Sequence, residues 1–306
     1  MQQQYPIKRM RRALGAGVML AGTVALAACG GGSSGDGSGS LSLGVTDAPV
    51  DSAQHVFVEF SSVTLKPSEG EPFTVDFDDP KRIDLLAQQN GDSELLLENE
   101  PVTAGAYDWV RLGVNLDGEM DTYLVKNGSE HELKIRSGRQ TGLKLVSGFV
   151  VAQGANLDLT IDFDLRKSIV ESAGEYKLKP ALRLVNNDET GEIAVTATDT
   201  YVSDNQCGTD DSKQAVYVFE GAGVTPDDVD GTEPDPLTTV QLRDEDTDGT
   251  YTATAAFLET GTYTVAYTCD PEDDEPEAGN SLTFMDAIDV EVTAGETAEY
   301  ALPLSP

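Results

Sequence analysis

What this chain has least of is side chains that hold metals or pass protons. Its 306 residues include two histidines, His55 and His131, three cysteines and one tryptophan. So few histidines and cysteines exclude a conventional zinc or haem centre. His-Glu-x-x-His and a phosphate-cradling glycine loop are missing, and the Gly-x-Ser-x-Gly and Gly-x-Gly-x-x-Gly spacings fall only in the Gly/Ser run 30–35, with no strand pattern before them to make an elbow or a dinucleotide fingerprint. A catalytic triad would have to assemble around one of two distant histidines. His55 reads better as a strand-opening residue, and His131, in Gly128-Ser129-Glu130-His131-Glu132, as part of a hairpin. Basic residues are also scarce, 20 against 54 acidic, for a net charge of −34. The deficit is steepest in residues 187–306, where only Lys213 and Arg243 face 29 carboxylates. Such a field repels phosphate backbones and excludes nucleic acid as a partner. Carboxylates are so common that two lying close together say nothing about acid–base catalysis.

Long apolar runs are likewise absent, except one. Ala13–Ala28 is apolar but glycine-broken, short of the roughly 20 residues a membrane helix needs. It follows Lys8, Arg9, Arg11 and Arg12 and ends Leu26-Ala27-Ala28-Cys29, the bacterial lipobox pattern. A basic start, an apolar core and a small-residue cleavage site define a signal peptide over residues 1–28. Cys29 is then the expected lipidated first residue, with a Gly/Ser tether over 29–40 and a membrane bound through the acyl chains. Gly30 lacks the aspartate of inner-membrane retention, so the resemblance to sorting signals favours the outer membrane. The exported remainder carries 16 basic and 54 acidic residues, net −38. Its other two cysteines, Cys207 and Cys269, are expected to form a disulfide in an oxidising compartment. Closing a loop of about 60 residues, that bridge should contribute about 3–4 kcal/mol in the chain-entropy model.

Alternation of apolar and polar residues dominates the rest. In Leu157-Asp158-Leu159-Thr160-Ile161-Asp162-Phe163-Asp164-Leu165 every odd position is apolar, the period of a half-buried strand. Similar strands are expected at 41–46, 54–65, 73–77, 107–116, 131–136, 144–151 and 180–186, with a short helical stretch only near 83–89. The polar break 186–191 separates a first domain, 41–186, from an acidic second, 187–306. The second should hold seven strands, near 192–200, 214–220, 237–243, 250–258, 262–269, 282–292 and 297–304. The fold class is therefore all-β: two antiparallel β-sandwiches of immunoglobulin-like or prealbumin-like type. An internal echo links them. Thr103-Ala104-Gly105-Ala106-Tyr107 and Glu259-Thr260-Gly261-Thr262-Tyr263 each read as a turn closed by a tyrosine hydroxyl. Gln153-Gly154-Ala155-Asn156 and Ala294-Gly295-Glu296-Thr297 each introduce an alternating strand.

Three groups of residues invite a binding role. Asp244, Asp246 and Asp248 before Gly249 have the spacing of half a calcium loop, but the twelfth position is Ala255 instead of a bidentate glutamate. A plain acidic turn is the first reading, weak calcium binding the second, and Asp76, Asp78 and Asp79 are read the same way. No cofactor is expected beyond that. Trp109 could be a carbohydrate platform, but bulk on both faces of its strand reads more simply as core, with Tyr107, Trp109 and Arg111 on one face. Asp47 reads first as a strand-end residue and second as a binding group.

From Ser42 to Asn186 the chain resembles a family of bacterial lipoproteins known as domain of unknown function 4382. The residues that carry this are Leu43-Gly44-Val45-Thr46-Asp47-Ala48-Pro49, Val56–Phe60, Ile83–Leu86, Gly105–Leu112 and Lys179–Leu182. The resemblance implies a β-sandwich and brings no reaction and no catalytic residues. Residues 192–304 resemble carboxypeptidase-regulatory-like or carbohydrate-binding-like sandwiches, through Asp246–Tyr251 and Gly261-Thr262-Tyr263. Together these readings point to an envelope-anchored, non-catalytic protein with a binding, adhesion or structural role and a glycan or envelope protein as partner. The rivals are a carbohydrate-binding module and a secreted hydrolase, which would need a polar cleft between the domains.

Overall fold

The computed structural model describes residues 37–48, 53–115, 118, 120–135, 142–208, 213–275 and 279–304. Cys29 and Pro49 lie outside these, and so does nearly all of the expected tether. Two sandwiches follow one another, as the alternation requires. One sheet of the first holds β1 (Ser38–Ala48), β4 (Glu94–Thr103), β10 (Asn156–Asp164) and β13 (Leu182–Asn186), in the order β13-β10-β1-β4. Facing it is a nine-stranded sheet of β2 (His55–Pro67), β3 (Phe73–Asp84), β5 (Gly105–Val114), β6 (Tyr123–Lys126), β7 (Ser129–Ile135), β8 (Leu143–Leu145), β9 (Phe149–Val151), β11 (Ile169–Ser172) and β12 (Glu175–Leu178). The alternating apolar residues Leu41, Leu43, Val45, Val63, Leu65, Val110, Leu112, Leu159, Ile161 and Phe163 meet between the sheets and are buried there. Strand β1 opens at Ser38, so Gly39 and Ser40, expected in the tether, belong to the sheet.

The second sandwich has the seven expected strands. Sheet β17-β14-β20 comprises β14 (Thr190–Thr198), β17 (Thr250–Glu259) and β20 (Thr297–Leu302). Sheet β16-β15-β18-β19 comprises β15 (Ala215–Glu220), β16 (Thr238–Gln241), β18 (Gly261–Thr268) and β19 (Phe284–Val292). One helical turn in each sandwich was not expected: α1 (Leu165–Ser168), entered from Asp164, and α2 (Asp199–Asp204), capped by Thr198. The expected helix near 83–89 reduces to a single 3-10 turn, Leu85–Ala87.

The echo seen in the sequence is a repeat of topology. In each sandwich the opening strand lies between a late parallel partner and an antiparallel one: β10-β1-β4 in the first, β20-β14-β17 in the second. The antiparallel partner turns into the central strand of the other sheet, β5 or β18, which pairs with β2 or β15. At both corners a tyrosine hydroxyl donates to the carbonyl four residues earlier, Tyr107 to Thr103 at 2.8 Å and Tyr263 to Glu259 at 2.7 Å. The second turn pair matches atom for atom. Gly154 N donates to Ser38 O and Ser40 N to Ala155 O, just as Gly295 N donates to Thr190 O and Glu192 N to Glu296 O. The predicted motifs are thus the corners of two copies of one plan.

Candidate functional site

The residues singled out in the sequence lie in three separate places. The first is the seam between the sandwiches. Asp47, at the end of β1, is buried, and its carboxylate accepts from Leu165 N at 3.2 Å. Neighbouring Thr46 donates to or caps the carbonyls of Gln88 and Asp92 at 2.9 and 2.8 Å. The Thr-Asp pair therefore holds the start of α1 and the turn after β3, the strand-end role that was the first reading of Asp47. From α1 the next two side chains cross into the second sandwich. Arg166 reaches Tyr217 Oη at 2.6 Å and Asp274 Oδ2 at 2.8 Å, and Tyr217 also donates to that carboxylate at 2.5 Å. Arg166 and the Asp274 side chain are 3% and 0% exposed. Burial pushes the Asp274 carboxyl and the Tyr217 hydroxyl up, opposed in each case by the guanidinium. Lys167 binds Pro236 O at 2.7 Å and pairs with Asp235. On the other side of the seam Asn90 Oδ1 accepts from Thr254 N at 3.1 Å.

The acidic loops take part in packing: Val229 joins Ala215, Tyr217 and Phe219 in a small core of its own, together with Leu282 and Phe284. Strand β18 is consequently buried on both faces, including Thr264, Ala266 and Thr268. The aspartates in these loops are used as acceptors: Asp274 takes Val229 N, and Asp228 takes Asn280 N. A shallow groove of about 350 Å³ opens along the same seam, lined by Gly91, Asn187, Glu192, Phe257, Glu296 and Thr297. Glu192 in it accepts from Thr297 Oγ1 at 2.6 Å. Neither histidine lines the groove. His55 is on β2, bonded to Asp84 at 2.6 Å, and His131 packs on Tyr176.

The second place is the outer face of the nine-stranded sheet. Trp109 is half-buried there, not in the core, and Tyr107 is not on its face. The cause is a β-bulge: Lys66 pairs with Trp109 but Pro67 pairs with Tyr107, so the alternation slips one residue at Asp108. Tyr107 turns inward with Val110 and Leu112, while Trp109 and Arg111 turn outward. The Arg111 guanidinium carbon lies 4.8 Å from the indole centroid and Lys144 Nζ 4.4 Å from it. No signal in the one-strand pattern could have shown Lys144, which reaches the ring from β8.

The third place is the turn before β17, where Asp244, Asp246 and Asp248 bring carboxylate oxygens within 4.8 Å of one another. Asp244 accepts from Asp248 N and Gly249 N at 3.1 and 3.2 Å, and Asp248 accepts from Thr250 N at 2.8 Å. These are the turn-forming bonds that aspartate makes with its own backbone, so the cluster is explained by the turn. Asp76, Asp78 and Asp79 are exposed along β3 and do not converge in this way. The expected bridge is present: Cys207 is bonded to Cys269, their Cα atoms 5.1 Å apart. It ties the segment after α2 to the end of β18, against the main core between the two sheets of the second sandwich.

Comparison with known proteins bears on the first sandwich. Residues 38–180 match the family model described as "Domain of unknown function (DUF4382)", starting where β1 starts. No curated protein matches the chain. Among solved structures, the chain is similar to the TIE protein of Bacillus anthracis (11% identity, TM-score 0.22, 87% of this chain and 33% of that one). It is also similar to GBS52, the minor pilin of Streptococcus agalactiae (12%, 0.20, 87% and 99%). A third is the CBM26 module CBMbc of Eubacterium rectale Amy13K, solved with maltoheptaose (12%, 0.21, 85% and 91%). The chain spans only a third of the TIE protein. Superpositions this loose carry no argument about function.

Proposed function

We propose that this chain, whose residues 38–180 carry the DUF4382 region, is a non-catalytic lipoprotein. In this reading it displays a rigid two-sandwich body from the outer membrane for binding or adhesion. The observation that carries the reading is the buried lock between the sandwiches, Arg166 with Tyr217 and Asp274. A buried ion pair that must stay hydrogen-bonded resists hinge motion, since separating its halves exposes or orphans a charge. Substrate-closing enzymes need such motion; a displayed binding body does not. The lipobox ending at Cys29 supports the anchoring half of the proposal.

The test is fractionation. Wild-type chain should pellet with outer membranes and leave them only with detergent. Cys29→Ser should appear in the soluble fraction or remain as uncleaved precursor. A Cys29→Ser variant that is processed normally and stays membrane-bound would overturn the anchoring half.

A further inference from the structure

We propose that the outer face of β5 around Trp109 binds an acidic polysaccharide, with Arg111 and Lys144 taking its carboxylates. In register, Arg111 stands directly opposite Lys144 on β8. Like charges facing each other across a sheet destabilise it. A chain with 54 acidic residues and 20 basic ones has carboxylates in excess to place beside them. Elsewhere it does so: Arg82 pairs with Glu59, Lys126 with Glu171, Lys134 with Glu175 and Arg183 with Asp162. Arg111 and Lys144 have no ion-pair partner among the described residues. A local rule broken against the composition of the whole chain marks a place held for something other than stability.

The geometry says what that is. Both cationic heads are drawn over one indole ring, which fixes them side by side. Arg111 Nε is buried without a hydrogen-bond partner, so the side chain is held by its stem and ring contact, with its terminal nitrogens left for a planar anion. The same row continues through Thr64 and Thr74, whose hydroxyls bond to each other at 2.9 Å, and Lys66 stands opposite Trp109. Paired cations, an aromatic edge and hydroxyls on an open sheet face suit a chain of carboxylated sugars better than a small ion, which needs an enclosing pocket. The face belongs to the first sandwich, while the charge that repels polyanions is concentrated in residues 187–306 and is screened beyond about 8 Å at physiological salt. The inference rests on the binding half of the function proposed above and does not depend on the lipid anchor.

The experiment is titration calorimetry of the full, detergent-solubilised chain against polygalacturonate, amylose and poly-glutamate. Polygalacturonate should bind, more weakly as sodium chloride is raised. Arg111→Gln and Lys144→Gln should each weaken it about tenfold, the double variant should abolish it, and melting temperatures should hold within about 2 °C as for other surface substitutions. Amylose should not bind, and poly-glutamate should bind at least tenfold more weakly than the polysaccharide. No binding of polygalacturonate, or binding unchanged in the double variant, overturns the proposal. Equal binding of poly-glutamate overturns it in favour of an acidic peptide. Amylose binding that survives both substitutions overturns this site while leaving the binding reading in place.

Discussion

Gly39 and Gly191 show how closely the two sandwiches share one plan. A Cβ on Gly39 would come within 2.5 Å of Val151 Cγ1 and 2.8 Å of Ala152 O; on Gly191 it would meet Thr293 O at 2.3 Å and Glu296 O at 2.8 Å. Each glycine lets the first strand pass under the turn that introduces its parallel partner. Gly191→Ala should therefore cost about 1–3 kcal/mol, the range for overpacking, read as a lower urea midpoint with unchanged slope. A neutral substitution would show that the turn can move aside. Asp164 gives a pH signature. Burial pushes its carboxyl from 3.8 up to about 6, opposed by Lys167. The folded chain thus keeps a proton that the unfolded chain releases near 3.8. Its contribution is fully present below that pH and is lost as pH rises through about 6. Asp164→Asn should flatten the fall in melting temperature between about pH 4 and pH 6, and an unchanged slope would contradict the assignment. Single residues were legible where a motif has one geometry, as with Tyr107 and Tyr263. Trp109 was not, because a bulge at Asp108 is invisible to strict alternation.

Strands with clean alternation, such as β10 and β18, could be read directly, and so could all seven strands of the second sandwich. Strand β4 could not: its run Glu94-Leu95-Leu96-Leu97 does not alternate, Asn99 takes a φ of 49°, and its pairing with β1 slips twice. The hairpin β11–β12 was missed because four-residue strands give too few positions to show a period. The one-turn α1 also left no pattern, yet it decides the assembly by carrying Arg166 into the second sandwich. Arg166→Ala leaves Asp274 buried without its cation and should cost about 3–5 kcal/mol. Pairing Arg166→Met with Asp274→Leu should recover much of that. Calorimetry should show one transition for the wild type and separated transitions for Arg166→Ala. In the Arg166→Ala variant, where the transitions separate, reduction of the Cys207–Cys269 bridge should lower that of the second sandwich and spare the first. Equal shifts in both would mean the bridge stabilises more than its own domain.

At the level of the whole chain, the charge was legible from composition, while the docking of the sandwiches was not. The few apolar residues of the acidic loops, such as Val229, carry no period that would reveal their packing. Net repulsion among the carboxylates of residues 187–306 should still make the second sandwich sensitive to ionic strength. Millimolar calcium should raise its melting temperature no more than magnesium at equal ionic strength, since the Asp244 turn is already satisfied by its own backbone. A calcium-only shift lost in Asp246→Asn would show a true site. The function proposed for this protein places a locked pair of sandwiches after a lipid-bearing residue. The most direct check is the mass of the amino-terminal peptide from protein extracted out of membranes. It should begin at Cys29 and carry a diacylglyceryl group, with or without a third acyl chain. A peptide beginning at Met1, or an unmodified Cys29 inside a longer chain, would contradict the assignment.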